Sequence, residues 1–172
     1  MRFFWLAFFL LGGRLFSYSQ SLEDCRKWYD LGISEEDYAV KLERETAKWS
    51  QKTGIQSAYW AASKTLLAKH AWNPATKLSL LDEAETRMNL CIQQNPESLE
   101  MRYLRFSFER NLPAFLQGGN HLKEDTEKMI FLFRQGKYKE FPSSLVKKMR
   151  DSVLLYGSCT ENDRKFLKTI PF

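Results

Sequence analysis

From Leu22 onward the apolar residues of this chain recur three and four positions apart, and nowhere do they alternate as a half-buried strand requires. That period commits the chain to helices, because positions i, i+3, i+4 and i+7 share a face only at about 3.6 residues per turn. Gly, Pro and Asn punctuate the pattern. The spacing predicts a short helix over about Leu22 to Leu31, stopped at Gly32, and a second one capped by Ser34 with Asp37 three residues on. The second helix has Tyr38, Leu42 and Trp49 as its core face and ends near Gly54. A third runs from about Ile55 to His70. A fourth, from about Ala75 to Gln94, is capped by Asn73 with Pro74 in its first turn, and buries Leu78, Leu81, Ala84, Met88, Cys91 and Ile92. Asn95-Pro96 ends it and starts a fifth, Glu97 to about Arg110, which is apolar on most of its circumference and therefore central. Three more are expected near Leu122–Gln135, Ser143–Tyr156 and Glu161–Lys168. The expected fold is an all-α, single-domain bundle of about seven or eight helices.

Residues 1–19 follow another logic. Arg2 precedes nine unbroken apolar residues, Phe3 to Leu11; Gly12-Gly13 then breaks the run, and Ser17 and Ser19 stand at −3 and −1 of a cut before Gln20. This is the pattern of a cleaved export signal. A retained anchor needs roughly 20 apolar residues, and Arg14 interrupts the run well short of that. The expectation is a periplasmic or secreted protein, with residues 20–172 as its one domain and no transmembrane span after cleavage.

Charge narrows the partners. The leader holds Arg2 and Arg14 and no acid, so its removal takes the net charge from +5 to +3. Acids and bases alternate along the same helices instead of forming a basic stripe, and Lys147-Lys148 with Arg150 is the nearest thing to a cluster. Nucleic acid is not an expected partner. The cysteines, Cys25, Cys91 and Cys159, are odd in number. A bridge between Cys25 and Cys159 would tie the two ends together, but nothing in the sequence sets a distance between them, and three free thiols are the preferred reading. Cys91 falls in an apolar stripe as a small core residue.

Ala84, Met88, Cys91 and Pro96 give a small residue, a large one four later, a small one three later and a turn proline. This resembles the second helix of a tetratricopeptide repeat, in which small residues let antiparallel helices approach and the large one fills the groove. The resemblance covers about residues 55–110 in degenerate form, with no second copy at a period of 34. It implies one repeat-like hairpin inside a bundle. Ala68 to Pro74, Met101 to Leu116 and Gly157 to Glu161 also resemble a group of small exported helical proteins of Gram-negative bacteria, which implies fold and compartment and transfers no chemistry.

Catalytic and metal-binding patterns are missing. There is no G-x-S-x-G elbow, phosphate loop or H-E-x-x-H, and neither His70 nor His121 has a second ligand at helical spacing, so no metal and no cofactor are expected. His70 reads first as a cation at a helix C-terminus. Its sharper reading makes His70, Trp72 and Asn73 one wall of a ligand pocket. Arg102 and Arg105 lie on the polar stripe of the central helix, with Glu109 four residues beyond Arg105. Buried arginines need acids, and Asp82, Glu83 and Glu85 on the fourth helix are the expected partners; without one, the arginines become a site for a carboxylate or phosphate. Between the fifth and sixth helices, Phe115 and Leu116 form an apolar loop suited to docking. The function expected is non-catalytic interaction with another protein or peptide of the cell envelope. The alternative is a small-ligand binder or enzyme with a pocket near Trp72, Arg102 and Arg105.

Overall fold

The computed structural model describes residues 22–112 and 121–171. The leader, Phe115 and Leu116 lie outside them. Eight α-helices succeed one another, with no strand among the described residues: residues 22–32 (α1), Glu36–Thr46 (α2), Ile55–His70 (α3), Pro74–Gln94 (α4), Leu99–Glu109 (α5), His121–Arg134 (α6), Ser143–Tyr156 (α7) and Glu161–Lys168 (α8). Single 3-10 turns at Ala47–Trp49 and Lys137–Glu140 follow α2 and α6. The chain is an all-α helical bundle, as its periodicity predicts.

Local chemistry sets most of the boundaries. Asn73 Oδ1 accepts from the amides of Ala75 and Thr76 at the start of α4, where Pro74 has no N–H to waste. Thr160 and Asp163 form a reciprocal capping box on α8. Gly136, at φ +73°, makes the left-handed turn that follows α6. Two caps differ from expectation. The Ser34 hydroxyl donates to the Leu31 carbonyl at the end of α1, so α2 starts at Glu36, one residue later than a Ser34 cap would place it, from Glu35 without a side-chain cap. Asn95 closes α4 through the Cys91 carbonyl, and it is Ser98 that caps α5, accepting from the Met101 amide.

Burial rotates some of the expected stripes. In α2 the buried residues are Ala39, Leu42 and Thr46 rather than Tyr38 and Trp49, and the helix ends where the Thr46 hydroxyl bonds back to the Leu42 carbonyl at 2.6 Å. In α4 the buried set is Ala84, Met88, Cys91 and Ile92, while Leu78 nearer the N-terminus is half exposed. In the early turns of α4 the part-buried positions are Lys77, Leu80 and Leu81 instead.

Two apolar clusters hold the bundle, and α5 belongs to both. The first joins Cys25 and Tyr29 of α1, Leu42 of α2, Tyr59 and Leu66 of α3, Met88 and Ile92 of α4, and Met101 and Leu104 of α5. The second joins Leu99 and Phe106 of α5 to Met129 and Phe133 of α6, Met149 and Val153 of α7, and Leu167 of α8. At about 1.5–3 kcal/mol for each large apolar side chain fully buried, these clusters outweigh the exposed ion pairs, worth roughly 0–1 kcal/mol apiece. The small residues Ser57, Ala58, Ala61, Ala62 and Ser63 let α2, α4 and α5 all close on α3.

Candidate functional site

A central helix with apolar stripes on two sides has one stripe left, and on α5 it carries Arg102, Arg105 and Glu109 at spacings of three and four. All three are buried. Their partners come from α6. Arg105 donates Nε to Asp125 Oδ2 and Nη2 to Asp125 Oδ1, both at 2.7 Å, and its Nη1 reaches Asn89 Oδ1 of α4 at 2.9 Å. Arg102 Nη1 donates to Asp125 Oδ1 at 2.9 Å and to Glu124. The two neighbouring guanidinium groups hold the Glu124 carboxyl below its usual range, despite the partial burial that works the other way. Glu109 Oε1 is 2.6 Å from His121 Nδ1. Burial nevertheless pushes the Glu109 carboxyl up, against the opposing pull of His121 and Arg105, and its Oε2 has no hydrogen-bond partner among the described residues.

The arginines are therefore neutralised, by α6 and not by the expected acids of α4. Glu83 is taken instead by Lys64, which lies 3.4 Å from it and 3.2 Å from Glu43. Sequence reasoning missed Asp125. Its signal was its place among apolar neighbours, four residues before Met129, on the face of α6 turned to α5.

A second polar lock crosses the first cluster. Glu100, also buried, accepts from Arg26 Nε at 2.7 Å and Nη2 at 2.9 Å, and from the Tyr59 hydroxyl at 2.7 Å, so α1, α3 and α5 meet on one carboxylate. The loss of hydration on burial, and after it the negative charge of Glu100, keep the Tyr59 hydroxyl protonated well above its usual range.

A cleft of about 530 Å³ opens elsewhere, bounded by α1, α3, α4, α5 and α7. Its apolar wall is made by Tyr29, Leu66, Leu81, Tyr103, Phe108 and Leu112, and Lys69, Lys77 and Arg110 stand around it. Desolvation raises the Tyr29 hydroxyl above the ordinary tyrosine range, and Ser107 hydrogen-bonds it, so it faces the cleft as a neutral group.

The residues singled out from sequence do not converge on this cleft. His70, Trp72, Asn73, Arg102 and Arg105 are all absent from its lining. His70 ends α3 and donates Nε2 to the Gly32 carbonyl at 2.9 Å, tying α3 to the end of α1. Asn73 is spent on capping. Trp72 is completely exposed in the turn between them. Phe115 lies outside the described residues. Cys25 and Cys91 are buried and Cys159 half-buried, all three as free thiols, with burial raising the Cys25 thiol to about 11. Among the described residues no group of three or more His, Cys, Asp or Glu side chains is placed to hold a metal, and no helix is long and apolar enough to cross a membrane.

No family model, curated protein or solved structure matches the chain. Function has to be argued from the side chains themselves.

Proposed function

We propose that the protein is an exported, non-catalytic interaction module that binds another protein or peptide of the cell envelope at the end of the fold where α3 turns into α4. The observation that carries this reading is Trp72, 100% exposed in that turn. A tryptophan left wholly in water contributes nothing to folding, whereas buried in a partner it is among the residues that most often dominate binding. The turn around it is held on both sides. Lys69 Nζ donates to the Ile33 carbonyl at 2.5 Å, His70 donates to the Gly32 carbonyl, and Asn73 closes the first turn of α4. A side chain presented from a fixed turn loses little further freedom on association, which favours affinity. Export rests on the leader pattern of residues 1–19, and the α3–α4 hairpin is the part read as repeat-like.

The test is photo-crosslinking in the protein's own cells, with benzoylphenylalanine in place of Trp72 and, as a control, of Val40, which is exposed on α2. A discrete adduct from position 72 and none from position 40 is the expected result. Identical smears from both positions, or no adduct from either, would remove the reading. Mass spectrometry of native material should find an N-terminus at Gln20.

A further inference from the structure

We propose that the cleft between α3, α4 and α5 is a binding site for a small amphiphilic carboxylate, a hydrocarbon body carrying one negative head. Its volume of about 530 Å³ lies within the roughly 300–1,000 Å³ that small-ligand sites span. Its wall supplies the contact such a body needs: Leu66 from α3, Leu81 from α4 and Phe108 from α5. Charge settles the head. Three cations line the cleft and no carboxylate does. Residues 1–21, 113–120 and 172 contain no Asp or Glu either, so no acidic side chain beyond the described ones can neutralise them. This is unusual in a chain that pairs its other inward-facing cations so thoroughly, as Arg26, Lys64, Arg102 and Arg105 show.

Each of the three is also left able to bind. Lys69 is held on a carbonyl, which leaves its positive charge uncancelled. The Arg110 guanidinium carbon stands 3.5 Å from the centroid of the Tyr156 ring, a cation–π contact that cancels neither its charge nor its N–H donors. A planar carboxylate takes two such donors in parallel. Lys77, half-buried in the first turns of α4, has no acidic partner among the described residues. The site is separate from the exposed Trp72 surface, so one can fail without the other.

Titration calorimetry of the purified protein with dodecanoate, below its micellar concentration, tests the proposal. Dodecylamine serves as the same tail with the opposite charge, and acetate as the head alone. Dodecanoate should bind one to one, at least tenfold tighter than dodecylamine, with no detectable heat from acetate. Lys77→Gln and Arg110→Gln should each weaken dodecanoate about tenfold. Lys77→Glu should weaken dodecanoate more than Lys77→Gln does and narrow its advantage over the amine. Leu81→Asp should abolish binding of both tails. Thermal unfolding of each variant keeps loss of fold apart from loss of site, and Lys77, which has no acidic partner among the described residues, decides the matter even where Arg110→Gln disturbs the Tyr156 contact. Equal affinity for carboxylate and amine, binding unchanged in Lys77→Glu, or no saturable binding would each overturn the proposal.

Discussion

Arg105 grips Asp125 by two parallel hydrogen bonds of 2.7 Å, and the same aspartate, wholly buried, accepts a third from Arg102. One carboxylate thus fixes the register of α6 on α5. Removing it strands two buried guanidinium groups, with the half-exposed Glu124 as their one remaining ion-pair partner among the described residues and Asn89 and the charge of Glu109 as lesser support for Arg105. Asp125→Ala should cost about 3–5 kcal/mol in urea denaturation, the range seen when one partner of a buried pair is deleted. The combined change Asp125→Leu with Arg105→Met should recover at least half of that loss, because it removes one of the two stranded charges and leaves Arg102 its bond to Glu124. A double variant no better than Asp125→Ala would show that the pair stabilises by itself instead of only neutralising its own burial.

Glu100 gives a graded version of the same test. Tyr59→Phe removes one hydrogen bond and leaves the carboxylate held by both Arg26 nitrogens, so the expected loss is about 1 kcal/mol. Arg26→Ala leaves Glu100 buried beside a single hydroxyl and should cost roughly 3 kcal/mol. Hydrogen exchange locates the effect. Amides of α1 should lose protection in Arg26→Ala while those of α6 and α7 keep theirs, since α1 has no part in the second apolar cluster.

How much of this was legible beforehand differs by scale. The ends of α3, α7 and α8 follow directly from Gly54, Asn73, Pro142, Gly157 and Thr160, because caps and breakers act within a turn of where they stand. The central place of α5 was legible too, in Leu99, Met101, Leu104, Phe106 and Phe108. The partner of Arg102 and Arg105 was not. Periodicity says which face of a helix is polar, but whether that face meets α4 or α6 depends on how the helices cross, and the place of Asp125 four residues before Met129 marks it only as inward-facing, without saying which helix it meets. The cleft was equally hidden: Lys69, Lys77 and Arg110 sit on different elements, and their shared lack of acids appears only when those elements are packed together.

Glu109 predicts a pH dependence of uncommon sign. Its folded-state pKa is raised, chiefly by burial, so the unfolded chain holds its carboxylate more readily than the folded one. Folding is therefore penalised as pH rises from the ordinary glutamate range through the raised value, and the penalty is absent below that range. Glu109→Gln should raise stability at pH 7 by around 1 kcal/mol, the size of an ordinary single-residue effect, and the gain should vanish by pH 4. Thermal scans at the two pH values read this difference directly. A variant less stable than the parent at pH 7 would mean that the His121 hydrogen bond outweighs the cost of burying the charge.

Gly157 closes α7 at a point where a methyl group has nowhere to go. Its φ of −79° is open to any residue, so the obstacle is contact and not backbone strain. A Cβ there would sit 2.6 Å from the Val153 carbonyl oxygen and 2.9 Å from Thr126 Cγ2. The threonine methyl can yield. The carbonyl is fixed in the last turn of α7, where it already accepts from the Gly157 amide at 2.9 Å and the Cys159 thiol at 3.3 Å. Gly157→Ala should therefore cost about 1–3 kcal/mol, as overpacking of a tight site does, which lowers the melting temperature by roughly 2–4 °C per kcal/mol in a chain of this size. Adding Thr126→Ser, which deletes the methyl and keeps the hydroxyl, should restore little of it. Full restoration by that second change would place the clash on the α6 side and make the carbonyl contact the one that relaxes.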